Sequence, residues 1–152
     1  LMMALIEACR ELTIEEILEL PDVAERVELY TEQAQAFAEQ LRRCTTVRGE
    51  VAVLDLRQEE TIHAGNRFMI YALFPETTVS VHVLWGKGQQ NTVLAVGKSI
   101  LNRTNDVSIG DLMLAHGGGG HRNAGTCQVA HGDAVATLDT VVDALNGAVV
   151  PA

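Results

Sequence analysis

Gly117-Gly118-Gly119-Gly120-His121-Arg122-Asn123-Ala124-Gly125 is the stretch from which the fold of this chain is read. Four consecutive glycines carry no Cβ, so the backbone can take positive φ angles and come close to another group. Successive N–H groups in such a loop can converge on one anion. The next two residues suit the same guest, because a histidine can donate from either ring nitrogen and an arginine presents a planar fork that matches phosphate oxygens. The run lies between a capped helix and an apolar strand, and it lacks the serine that flexible linkers mix with glycine. It therefore predicts a structured phosphate loop. No Gly-Lys-Ser/Thr follows the glycines, so it is not a Walker A motif, and it is not a dinucleotide fingerprint.

Working outward, Ser108 and Asp111 are spaced as a capping box for a helix over Ile109 to His116, which Gly117 would end. Downstream, Thr126 to Ala130 is a strand candidate. Gly132-Asp133 then supplies a turn and cap for a last helix, Ala134 to Leu145, with Val135, Leu138, Val142 and Leu145 on one stripe. Upstream, Thr92 to Lys98 is a strand. Thr78 to Trp85 alternates, with Val79, Val81, Val83 and Trp85 on one face and Ser80 and His82 on the other. The apolar run Phe68 to Phe74 is expected to be the first strand of an antiparallel meander with these two, buried on both faces. Val51 to Leu56 is a further strand candidate, followed by a polar loop from Arg57 to Arg67.

The first 44 residues have a helical period instead. Thr13 and Glu16 form a capping box that opens a new helix at Ile14, Pro21 closes it, and Asp22 can cap the next. Val23, Val27, Tyr30, Ala34, Phe37 and Leu41 then fall on one stripe of a long helix. The expected fold is mixed α/β: about five strands in a mixed sheet flanked by helices, preceded by a helical arm. Two segments are expected, a helical arm or linker over 1–44 and a ligand-binding domain over 45–152.

A chain of 152 residues with 47% hydrophobic and 20% charged residues is globular in composition. No apolar run is long enough for a membrane helix and no basic flank marks a signal peptide, so a cytoplasmic location is expected. Cys9, Cys44 and Cys127 are few, distant and odd in number, which points to reduced thiols. The first residue is leucine, which suggests a piece of a longer protein. A net charge of −9 argues against wrapping a long nucleic acid duplex. That charge is concentrated in residues 1–44, with ten acids and four bases, against ten acids and seven bases in the rest. The chain has only one Trp, two Tyr and three Phe, so phosphate and sugar contacts should outweigh base stacking.

The loop Gly117 to Gly125, continuing through Thr126-Cys127-Gln128-Val129, resembles the Gly-Gly-Gly-His motif of the DHH-associated C-terminal domain, the substrate-binding half of the Asp-His-His phosphoesterases. Ser99-Ile100-Leu101-Asn102-Arg103-Thr104 and Ile109-Gly110-Asp111-Leu112-Met113 are similar to segments that precede it in the exopolyphosphatase-related, oligoribonuclease-like branch. The Asp-rich and Asp-His-His motifs of the catalytic half occur nowhere in this chain. The resemblance thus implies a substrate-binding domain whose ligand is a short single-stranded oligonucleotide, a nucleoside bisphosphate or polyphosphate. It also implies an upstream catalytic domain that brings the manganese, and no hydrolysis by this segment alone.

The expected ligand contacts are the N–H groups of Gly118, Gly119 and Gly120, the His121 side chain, a bidentate Arg103, neutral Asn102 or Ser99, and Arg122 as a secondary candidate. No catalytic or metal-binding residue is expected in this segment. A zinc site from His116, His121, Cys127 and His131 lacks the close ligand pairs of structural zinc motifs, and Cys127 falls inside a strand, where thiols are usually inert. Two other functional classes stand beside this one: an RNA-recognition module of the kind found in alanyl-tRNA synthetases, and a domain that pairs two copies through the long helix.

Overall fold

Val51, Ala52, Val53 and Leu54 are all buried, and alternation along a strand sends the odd pair to one face and the even pair to the other. A strand of this kind belongs inside a sheet covered on both sides. The computed structural model, which describes residues 2–147, has that arrangement. Helices α1 (Met2–Glu11), α2 (Ile14–Leu18) and α3 (Pro21–Cys44) precede β1 (Thr45–Arg48) and β2 (Val51–Asp55); α4 (Met69–Leu73) leads to β3 (Val79–Trp85) and β4 (Thr92–Lys98). Then come α5 (Ile109–Ala115), β5 (Gly119–His121), β6 (Ala124–Val129) and α6 (Ala134–Leu145). The six strands form one mixed sheet in the order β1-β2-β3-β4-β6-β5, with β2 and β3 parallel and every other pair antiparallel.

Each face has its own core. On one, Val51, Val53, Val79, Val81, Val83, Leu94, Val96 and Cys127 pack against Ile109 and Met113 of α5 and Val141, Val142 and Leu145 of α6. On the other, Ala52, Leu54 and Leu56 pack against Phe37 and Leu41 of α3 and Ile70 and Tyr71 of α4. The C-terminal turns of α3 are therefore part of this second core. The amide of the fully buried Gln40 replaces solvent with Glu59 and the Thr61 carbonyl, both at 2.7 Å, and accepts from the His63 N–H.

Several local expectations are corrected. Phe68 to Phe74 is not a strand: Met69–Leu73 is a short helix. A continuous apolar run has no period that separates a buried strand from a buried helix. The parallel pairing of β2 with β3 requires a crossover of a dozen residues or more, and residues 56–78 supply it, so the three-stranded meander reduces to the β3–β4 hairpin. Two short strands, Thr45–Arg48 and Gly119–His121, were not anticipated; the second lies within the glycine loop itself. Ser108 makes no side-chain capping bond to α5, nor Asp133 to α6, and α3 starts on Pro21 with Leu20 as N-cap rather than on Asp22. On α6, Val135 is exposed, and Ala134 and Val141 join the buried face instead.

The N-terminal capping box forms in both directions, Thr13 N–H to Glu16 Oε2 at 2.8 Å and Glu16 N–H to Thr13 Oγ1 at 3.3 Å. Of the long stripe on α3, only Phe37 and Leu41 are buried, while Val27 and Tyr30 stay exposed. No helix among the described residues is long and apolar enough to cross a membrane. Leu1 and the last five residues of the expected second domain, 148–152, lie outside the described residues.

The glycines divide by role. Gly117 ends α5 with φ +74°, the left-handed conformation expected after a helix. A Cβ on Gly118 would fall within 3.0 Å of the Thr126 carbonyl and Cys127, and one on Gly120 within 3.0 Å of the Ala124 carbonyl and Gly125 Cα. Gly119 has open space on its side-chain face. Gly120→Ala should therefore destabilise the chain by about 1–3 kcal/mol through overpacking, and Gly119→Ala by no more than about 0.5 kcal/mol. Urea denaturation of the two variants checks this; equal losses would mean that backbone approach at β5 is not the reason for the run.

Candidate anion-binding site

β5 and β6 pair as Gly119–Thr126, Gly120–Gly125 and His121–Ala124, which leaves Arg122 and Asn123 as a two-residue turn. The carbonyls of that turn are held from two directions: Ile109 N–H donates to Arg122 O at 3.2 Å and Lys98 N–H to Asn123 O at 2.9 Å. The turn is thereby fixed beside the end of β4 and the segment after it. Two adjoining hollows result, sharing Lys98, Ile100 and Asn123.

The larger hollow, about 410 Å³, is lined by Lys98, Ser99, Arg103, Asn105, Asp106 and Arg122 among others. Lys98 Nζ donates to Asn105 O at 2.8 Å. Its pKa is held below the usual lysine value by partial burial and then by the nearby Arg122 guanidinium, with Asp106 acting in the opposite sense. Arg103 Nε donates to Ile100 O at 3.0 Å, which anchors the guanidinium at the rim. Neither its Nη donors nor any donor of Arg122 has a protein partner among the described residues. Three cations around one hollow with a single carboxylate repel one another, and an anion placed between them relieves that repulsion.

The smaller hollow, about 240 Å³, is bounded by His121, Asn123 and Ala124 on one side and Arg67, Phe68 and Tyr71 on the other. His121 Nδ1 accepts the Asn123 N–H at 3.3 Å; that assignment leaves the proton on Nε2, free to donate. Tyr71 Oη donates to Gly97 O at 2.6 Å and so accepts from the buried Ser80 hydroxyl at 2.8 Å. Burial raises the Tyr71 pKa, which keeps it a donor. Burial, reinforced by Arg67, lowers the His82 pKa, which favours the neutral imidazole.

The expected site residues thus divide between these places. Arg103, Arg122 and Ser99 line the larger hollow and His121 the smaller. The Ser99 hydroxyl also accepts the Leu101 and Asn102 N–H groups at 3.1 and 3.0 Å, closing a local turn. Asn102 lines neither hollow and accepts from Thr104 Oγ1 at 2.9 Å. Gly118 N–H is given to Met113 O at 2.9 Å, and Gly119 and Gly120 lie in the β5–β6 pair. Lys98, Arg67, Phe68 and His82 were not anticipated at the site. Lys98 left a trace as a lone cation ending an apolar strand, and His82 as the polar side of an alternating one.

The residues here do not suit manganese, because the charged groups that face the hollows are cations, with Asp106 the one carboxylate among them. Among the described residues no three His, Cys, Asp or Glu side chains gather. The set considered for zinc is dispersed: Cys127 is in the first core, while His131 hydrogen-bonds Thr92 Oγ1 at 3.1 Å and Gln89 O at 2.8 Å and meets the Trp85 ring edge-on.

No protein-family model matches the sequence, and a comparison with curated proteins finds no match. Solved structures do match. The chain is 51% identical, with a TM-score of 0.82, to PggH from Vibrio cholerae, described as a pGpG-specific phosphodiesterase; the match covers 97% of this chain and 50% of PggH. An exopolyphosphatase-related protein from Bacteroides fragilis superposes with a TM-score of 0.56 at 14% identity, over 78% of this chain and 36% of that one. A DHH domain described as belonging to a family of ribosomal proteins gives 0.55 at 13% identity, over 76% and 31%. The last two show a shared fold, and the chain spans half the length of PggH.

The His82 environment sets a pH dependence. Below about 6.5, the ordinary histidine value, the unfolded chain takes up a proton that folded His82 resists, so stability falls as pH falls and is unaffected by this group above that range. The melting temperature of the native chain should drop more between about pH 7.5 and 5.5 than that of His82→Asn. Equal drops would remove His82 as the cause.

Proposed function

Since the chain is a DHH-associated C-terminal domain of the DHH phosphoesterase family, we propose that it holds the terminal phosphate and sugar of a short substrate for hydrolysis by a catalytic half. The substrate is a short single-stranded oligonucleotide, a nucleoside bisphosphate or polyphosphate. The observation that carries this reading is the convergence of Lys98, Arg103 and Arg122 on one hollow in a chain of net charge −9.

In this reading Arg103 and Arg122 offer forks to two sides of a phosphate, Lys98 supplies a point charge beneath it, and His121 Nε2–H donates from the adjoining hollow. The glycines act by shape, seating the turn that carries His121 and Arg122. Hydrolytic chemistry belongs to a manganese-bearing upstream half, and this domain supplies position. The chain works in the cytoplasm. Its sequence preference is slight where only phosphate and sugar are gripped.

The N-terminal helices have a place in the same scheme. Met2, Met3, Ile6, Ile14, Leu18, Leu29 and Tyr30 are exposed, a larger apolar display than solvent-facing helices usually carry. We assign that surface to contact with the catalytic half; a homodimer is the second reading the same exposure favours. Light scattering decides between them, since a monomer removes the homodimer.

The direct test is NMR titration of the chain with pGpG, the ligand in the description of PggH, and with tripolyphosphate. Arg103→Ala and Arg122→Ala should each weaken binding about tenfold, as expected for loss of a charge-assisted bond, and His121→Ala should weaken pGpG binding comparably. The chain alone should leave pGpG intact. Affinities unchanged in all three variants would overturn the proposal.

A further inference from the structure

The smaller hollow has a shape that a phosphate site does not require. The second face of the sheet is covered by α3 and α4 over β2, but α4 ends its cover at Phe68 and Tyr71, and a strip of β3, β4 and β6 is left open beyond them. Two register rows cross that strip. In one, Ser80 pairs with Gly97 and Gly97 with Ala124; in the next, His82 pairs with Ala95 and Ala95 with Thr126. Glycine and alanine at the centre of both rows make a floor with almost no side-chain relief.

The floor is also anchored. Tyr71 Oη is bonded to the Gly97 carbonyl at 2.6 Å and to Ser80 Oγ at 2.8 Å, so neither group needs a partner from a ligand and the surface offered is apolar. Phe68 stands as one wall with the Arg67 guanidinium 4.8 Å from its ring centroid. His82, at the edge of the floor, has no hydrogen-bond partner among the described residues, and its neutral ring carries one donor and one acceptor.

We propose that this hollow seats the planar ring of a nucleobase, making Gly97, Ala95 and Phe68 specificity-determining residues that select nucleotides over polyphosphate. The inference rests on the anion site proposed above, and deepens it. At about 240 Å³ the hollow is below the roughly 300–1,000 Å³ of sites that enclose a whole drug-sized ligand, which suits one ring system continuing from a phosphate in the larger hollow. Lys98 and Asn123 border both spaces, so phosphate and base sit on either side of them. A flat apolar floor, an aromatic wall and a few polar edge groups are what a stacked base uses. Linear polyphosphate has no apolar part to place there. The scarcity of aromatic residues read from composition is met by one phenylalanine and a bare backbone.

The test is an NMR titration of the whole 152-residue chain with four ligands: guanosine 5′-monophosphate, ribose 5-phosphate, guanosine and tripolyphosphate. The nucleotide should bind about tenfold tighter than ribose 5-phosphate, and guanosine alone should shift Phe68, Ala95 and Gly97. Gly97→Val fills the hollow; a Cβ there meets only Tyr71 Oη at 3.9 Å, so the fold is kept. In that variant the nucleotide should bind no better than ribose 5-phosphate, whose own affinity stays unchanged. Ala95→Leu, which fills the neighbouring row, should act alike and stands in if Gly97→Val does not fold. Equal affinity for nucleotide and ribose 5-phosphate, with no shifts from guanosine, overturns the base seat and leaves the anion site standing. Guanosine shifts without any response to ribose 5-phosphate or tripolyphosphate overturn the anion site and keep the base seat. Silence with all four ligands overturns both.

Discussion

The contact on which the site depends is the seating of β5, backbone against backbone, between β6 and α5. Gly110 of α5 lies where a Cβ would be 3.0 Å from the Gly120 carbonyl, and a Cβ on Gly125 would press on the Gly119 carbonyl and Met113. With no side chains between them, the three elements close to a distance that only glycine permits. The hairpin turn is thereby pinned, and Arg122 and Asn123 are delivered to the end of β4, where Lys98 stands. A looser β5 would still pair with β6, but its turn would lose the two hydrogen bonds, from Ile109 and Lys98, that aim it.

The opposite wall is set by a different kind of contact. Tyr71 is buried in the second core, and its hydroxyl reaches across to β4 instead of being stranded in apolar surroundings. One side chain thus closes the core under α4 and marks where that helix stops covering the sheet. The two hollows lie between this wall and the glycine-bound hairpin, so the site is a gap between two independently fixed structures. That arrangement suits a binding domain, because neither wall has to be ordered by the ligand.

Much of this was legible from local pattern. The alternation of Val79 to Trp85 correctly separated the core face from the face carrying Ser80 and His82. The spacing of Thr13 and Glu16 identified a capping box that forms in full, and Gly117 was recognised as a helix terminator. These features depend on neighbours within a few residues, where side-chain period and backbone freedom decide the outcome. Phe68 to Phe74 was misread because burial on all sides erases the period. Its helical state follows from the parallel pairing of β2 and β3, a relation between segments 24 residues or more apart that no local pattern carries.

The site shows the same division. The sequence by itself determined the mixed α/β class, the glycine hairpin as its centre and the cationic candidates Arg103, His121 and Arg122, because glycine freedom and guanidinium chemistry are properties of the residues themselves. Only the tertiary structure decided what the glycines do there: Gly118 gives its N–H to Met113, and Gly120 makes room for β6. Only the structure, too, brought Lys98 beside Arg122 and placed the bare row of Ser80, Gly97 and Ala124 next to them. Those residues come from three strands distant in the chain, and the register of the sheet, set by which faces each strand must bury, is what aligns them.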